Sequence, residues 1–177
     1  MVAIHEEEQI RSHDSRSLHF QRWRPEEGTP TVGQLLIIHG YGEHGARYRE
    51  LAHVLADQGV QTFAVDLRGH GRSEGQRGYV DNFTHYLNDV DTALNKLDPA
   101  LPRFVLGHSL GGLITLDFAC SRRPSLDGLI VSNPFLELAM PVPAPKRKFA
   151  EIAGTVFPRL ALPNGIKPEF ISRDKDV

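Results

Sequence analysis

Four short, continuous apolar runs constrain this chain more than any other feature of its sequence. They are Leu35-Leu36-Ile37-Ile38, Gln61-Thr62-Phe63-Ala64-Val65, Phe104-Val105-Leu106 and Leu129-Ile130-Val131. Runs this short, apolar without alternation, fit strands covered on both faces by helices, as in a parallel sheet. Helical patterns separate them. Tyr48, Leu51, Ala52 and Leu55 recur on one helical face and stop before Gly59, a favourable C-terminal glycine. Phe83, Tyr86, Leu87, Val90, Leu94 and Leu97 form a second stripe, with Asp81 or Asn82 as N-cap and Pro99 just beyond its end. The order strand, helix, strand, helix predicts right-handed βαβ units. Upstream, Glu8 to Trp23 alternates loosely around the polar run Ser12 to Ser17 and predicts a β-hairpin. The expected fold class is therefore α/β, a mostly parallel sheet opened by an antiparallel hairpin.

Composition narrows the function. The chain has 177 residues, 40% hydrophobic and 24% charged, with a net charge of −2. That suits a globular domain and gives no basic footprint for a nucleic-acid partner. No run approaches the ~18 apolar residues of a membrane span. A single cysteine, Cys120, and a start without a basic or long apolar segment predict a cytoplasmic protein.

The chemistry concentrates in Gly107-His108-Ser109-Leu110-Gly111, a G-x-S-x-G motif. It directly follows one predicted strand and precedes the helical run Leu113 to Ala119, the strand–turn–helix setting of a nucleophilic serine. A serine on so sharp a turn needs very small neighbours, and Gly107, Gly111 and Gly112 provide them. Ser109 is the expected catalytic nucleophile. Its tetrahedral oxyanion would need preorganised donors. In such a setting they are the backbone N–H after the serine, here Leu110, and one from the loop His39-Gly40-Tyr41-Gly42-Glu43-His44, where Tyr41 is expected to donate.

Other motifs carry less. Asp66 to Ser73 is glycine-rich, but it lacks the P-loop lysine and the dinucleotide spacing, so it is read as a structural loop in which Asp66 and Arg68 bond locally. Scattered histidines without ligand spacing predict no metal, and no cofactor is expected.

Together, the block from His39 to His44 with Arg47-Tyr48, the block from Asp66 to Gly75, the Gly107 to Gly112 block and Ser132-Asn133-Pro134 resemble the monoacylglycerol lipase and lysophospholipase group of serine α/β-hydrolases, serine aminopeptidase S33-like. The resemblance implies an α/β-hydrolase core over residues 1–133 and the start of a cap over 134–177. It also implies an acyl-serine route on a small lipid ester, monoacylglycerol or lysophospholipid. Small-ester carboxylesterases, aminopeptidases and non-catalytic modules share the fold. At the Tyr41 position the family often has a small residue, and this chain has a bulky one. The family's triad acid and histidine follow the nucleophile, whereas the last histidine here is His108. A fragment truncated within the cap is therefore expected, inactive by itself. Finally, Pro141, Pro143 and Pro145 predict an extended segment. The basic triplet Lys146-Arg147-Lys148 beside the stripe Phe149, Ile152, Val156, Phe157 and Leu160 suits a peripheral membrane contact.

Overall fold

The structure, a computed structural model, describes residues 3–137 together with Pro145, Arg147 and Lys148. A compact unit spans Met1–Glu137, and a second spans Leu138–Val177. Six strands form one sheet in the order β1-β2-β4-β3-β5-β6. They are β1 (Ile4–Arg11), β2 (Ser17–Arg24), β3 (Gly33–Ile38), β4 (Val60–Val65), β5 (Arg103–His108) and β6 (Gly128–Ser132). The hairpin β1–β2 pairs antiparallel, with Glu8 opposite Phe20, and β2 joins β4 antiparallel. From β4 through β3, β5 and β6 every pairing is parallel. The architecture matches the sequence reading, except that the first strand starts at Ile4 instead of Glu8.

Helices α1 (Arg49–Asp57), α2 (Thr84–Leu94) and α3 (Leu110–Arg122) cover the sheet unequally. Leu36, Ile38, Phe63, Val65 and Val105 meet Tyr86, Leu87, Val90 and Leu94 of α2 and Ile114 and Phe118 of α3 in the larger core. On the other face Leu35, Ile37, Ala64 and Trp23 pack on Ala52 and Ala56 of α1. All six residues of β3 are buried, as a doubly covered strand requires. Strand β6 is not so covered, and its Ile130 remains 48% exposed. The α2 stripe faces inward as expected. On α1, however, Leu51 is exposed, because the small residues Ala52 and Ala56 let the helix lie close to the sheet on a face rotated away from it. At the start of α2, Phe83 holds the cap position without a side-chain bond, while Asn82 Oδ1 accepts the Thr84 N–H at 2.9 Å.

Arg68 departs from the expectation of local bonding. Its guanidinium, 3% exposed, grips Asp89 of α2 through Nε and Nη2, both at 2.6 Å, and Asp14 in the hairpin turn at 3.0 Å. Ser12 also donates to Asp89. Burial raises the Asp14 carboxyl, but the bonds from Arg68 outweigh it and hold that group well below the usual carboxylate range. A buried pair so fully bonded ties the hairpin turn and the loop after β4 to α2, and removing one member would cost roughly 3–5 kcal/mol.

Among the described residues no helix is long and apolar enough to cross a membrane. Pro145 is helical, so the extended segment expected from its prolines does not include it. The stripe from Phe149 to Leu160 lies outside the described residues, as does most of the cap expected over 134–177.

Candidate active site

Ser109 sits where β5 turns into α3, with φ 51° and ψ −115°. A non-glycine residue with this backbone is strained by ~1–3 kcal/mol and persists only where its surroundings over-determine it. Those surroundings are visible. Ser109 N–H donates to the Ser132 carbonyl at 3.0 Å, and its own carbonyl accepts from Leu113 N–H at 3.1 Å and Phe135 N–H at 3.0 Å. The turn is so tight that a Cβ on Gly111 would lie 2.1 Å from the Ile38 carbonyl oxygen, and one on Gly107 would lie 2.4 Å from the Gly111 oxygen. Gly112 is less confined, 3.0 Å from Pro134 Cα. The glycines flanking the serine thus do the work their spacing predicts. The Ser109 hydroxyl makes no hydrogen bond among the described residues.

The loop after β3 lies directly against this serine. A Cβ on Gly40 would meet Ser109 Cβ at 3.2 Å and the His108 ring at 3.4 Å. Neither the Tyr41 N–H nor the Leu110 N–H has a protein acceptor among the described residues. The loop is held from below by His39. Its Nδ1–H donates to the Gly40 carbonyl at 2.7 Å, and its Nε2 accepts the Leu67 N–H at 2.9 Å. That pattern assigns the neutral imidazole. Burial favours it too, pushing the His39 pKa down to about 4. From above, Glu43 Oε2 accepts the Gly40 N–H at 3.1 Å and the Tyr48 hydroxyl at 3.3 Å. Asp66 completes the support, accepting the Gly45 N–H at 2.7 Å and the Arg72 N–H at 2.8 Å.

Tyr41, bulky where the resemblance leads one to expect a small residue, turns its side chain outward and is 61% exposed. Its ring stands edge-on to His70, 5.4 Å between centroids. A recess of about 270 Å³ beside it is lined by Tyr41, Glu43, His70 and Arg77. On the α1 side, an open depression of about 400 Å³ is lined by Arg47, Tyr48, Leu106, His108 and Ser132 among others.

The nine histidines bear on what this site can do. His39 has both ring nitrogens committed, and His108 engages Ser132 Oγ through Nδ1 at 3.2 Å. None makes a hydrogen bond to the Ser109 hydroxyl. Among the described residues no group of three metal-ligating side chains converges. Two features escaped the sequence reading. Asp66 organises two loops where only local bonding was expected, and Ser132 and Phe135 hold the Ser109 backbone. An acid ending a buried strand just before a glycine-rich loop was the available signal for the first. The second had none, because its bonds come from main-chain groups.

The model of the family described as serine aminopeptidase, S33, matches residues 29–177. The chain belongs to that family. Among S33-related proteins, mouse monoglyceride lipase is 38% identical over 168 residues, covering 92% of this chain and 54% of that enzyme. The crystal structure of Paleococcus ferrophilus monoacylglycerol lipase is 31% identical with a TM-score of 0.74, covering 90% of this chain and 59% of that one. A soluble variant of Saccharomyces cerevisiae monoglyceride lipase, solved with a substrate analogue, is 27% identical with a TM-score of 0.76, covering 99% of this chain and 60% of that one. The α/β-hydrolase fold expected from the elbow is the fold of these S33-like structures. The chain spans little more than half the length of each.

Proposed function

We propose that this S33 chain carries the nucleophile half of an ester hydrolase acting on lipid esters, a monoacylglycerol or a lysophospholipid. One observation carries the reading. A serine hydroxyl unpartnered among the described residues stands on a strained strand–helix turn, the loop after β3 packs against it at Gly40, and the Tyr41 and Leu110 N–H groups have no protein acceptor among those residues. The first N–H groups of a helix have no partner within it, so at this turn the Leu110 N–H is open to a ligand.

In this reading Ser109 Oγ attacks the ester carbonyl carbon as a base removes its proton. The carbonyl oxygen becomes an oxyanion between the Leu110 and Tyr41 N–H groups. Collapse breaks the bond to the alcohol oxygen, which leaves with a proton, and water then releases the acyl group from Ser109. No histidine bonds to Ser109 Oγ among the described residues, and this reading takes the base from beyond them. The similarity to monoglyceride lipases supports a glyceryl ester over a peptide, although the family's description is that of an aminopeptidase. Peripheral contact through the basic triplet 146–148 would bring such a lipid substrate within reach.

The test is Ser109→Ala in a form extended to carry a late acid and histidine. Turnover of a short-chain aryl ester falls on the order of 10⁶-fold, with the fold intact by circular dichroism. A variant keeping a tenth of the activity overturns the reading.

A further inference from the structure

The Leu110 N–H and the Ser109 carbonyl belong to one peptide unit. Because that unit is planar and trans, fixing the direction of the carbonyl fixes the N–H in the opposite direction. The Ser109 carbonyl is held twice, by Leu113 N–H inside α3 and by Phe135 N–H from beyond β6. The second bond exists because the chain reverses after Ser132. Asn133 takes the left-handed conformation, φ 43°, and Ser132 itself accepts the Ser109 N–H. Asparagine tolerates that conformation far better than a β-branched residue.

We propose that Ser132–Phe135 is a positioning clip that aims the Leu110 N–H at the reacting carbonyl, with Asn133 setting its shape and the Phe135 main chain making the contact. The proposal rests on the reading of Leu110 as an oxyanion donor. The clip adds orientation, since it pins the peptide at an end that the helix alone holds by one bond. It also adds strength, because a carbonyl accepting two hydrogen bonds polarises its peptide and makes the attached N–H a better donor.

Two pairs of variants separate the clip from general stability. Phe135→Pro deletes the donor, while Phe135→Ala keeps it and removes only the ring. Asn133→Val opposes the left-handed turn, while Asn133→Gly permits it. The first readout is the ¹⁵N-resolved amide resonance and hydrogen exchange of Ser109 and Leu110 in the 177-residue chain. The second is kcat and KM in the extended, hydrolytically competent form. In Phe135→Pro and Asn133→Val the Leu110 resonance moves and Ser109 exchange speeds up. Their kcat falls about tenfold below that of the paired variant at similar KM, part of the ~10²–10³ that a lost oxyanion donor costs. A merely structural segment would lower stability and leave kcat of the folded fraction alone. An unmoved Leu110 resonance in Phe135→Pro overturns the proposal at the clip. A moved resonance with unchanged kcat overturns it at the donor, and leaves Ser109 to be judged by its own alanine variant.

Discussion

Asp66 and Gly45 lie 21 residues apart, yet the Asp66 carboxylate accepts the Gly45 N–H at 2.7 Å and so joins the loop after β4 to the loop that flanks Ser109. The other oxygen takes the Arg72 N–H. Gly45 is packed closely, since a Cβ there would lie 2.8 Å from Ala64 Cβ. In Asp66→Ala the buried Gly45 amide loses its acceptor at ~1–3 kcal/mol, whereas the Arg72 amide, on an exposed residue, can turn to water. The expected loss, about 2 kcal/mol, is read from the urea midpoint at constant m-value. A change under about 0.5 kcal/mol would mean that water replaces the carboxylate.

Stability should fall with acid through His39. Burial holds its folded pKa down at about 4, against 6.5 for a free imidazole. Between those values the unfolded chain binds a proton that the folded one excludes, so stability rises with pH across that window and is complete above it. On acidification the loss begins near pH 6.5 and runs on towards pH 4. His39→Gln should flatten the slope of melting temperature against pH in this interval. An unchanged slope would place the acid-sensitive group elsewhere.

The elbow glycines should differ in a fixed order. Gly111→Ala drives a methyl into the Ile38 carbonyl and Gly107→Ala into the Gly111 carbonyl, whereas at Gly112 the nearest atom, Pro134 Cα, is farther off and needs to give by only a few tenths of an ångström. Soluble yield and unfolding midpoint should fall most at 111 and 107 and least at 112. Overpacking here exceeds the usual ~1–3 kcal/mol for the first two, because the overlap with main-chain atoms is far deeper. Equal effects at all three would show that the turn relaxes.

By itself the 177-residue chain should not turn over esters, because no histidine bonds to Ser109 Oγ and the hydroxyl stays protonated at neutral pH. Residual acceleration of ~10³–10⁴ over water is the ceiling that binding and an oxyanion site leave without a base. Aryl-ester hydrolysis and fluorophosphonate labelling measure it. Strong Ser109-dependent labelling would reveal a base among the present residues.

If the basic triplet meets anionic headgroups, the protein co-sediments with phosphatidylserine vesicles, and more weakly at high salt. Replacing Lys146, Arg147 and Lys148 by glutamine should abolish most of that binding. Undiminished sedimentation would remove the membrane contact from the reading.

Local patterning made part of this fold legible from the residues alone. Unbroken apolar runs fit a doubly covered strand, so β3 and β4 were legible, as was the stripe of α2, although the run at Leu129–Val131 became the partly exposed β6. Gly107, Gly111 and Gly112 around Ser109 announced the elbow, because only residues without side chains fit so close an approach of strand and helix. Tertiary structure decided what depends on groups distant in sequence or on the main chain. Leu51 satisfied the helical period yet faces solvent, since docking of α1 through Ala52 and Ala56 chose a neighbouring face. Arg68 found Asp89 and Asp14, and Asp66 found Gly45, through loops that no spacing rule connects. The bond from Phe135 N–H to the Ser109 carbonyl is the extreme case. Every residue except proline carries that same N–H, so its partner is set only by where the folded chain delivers it.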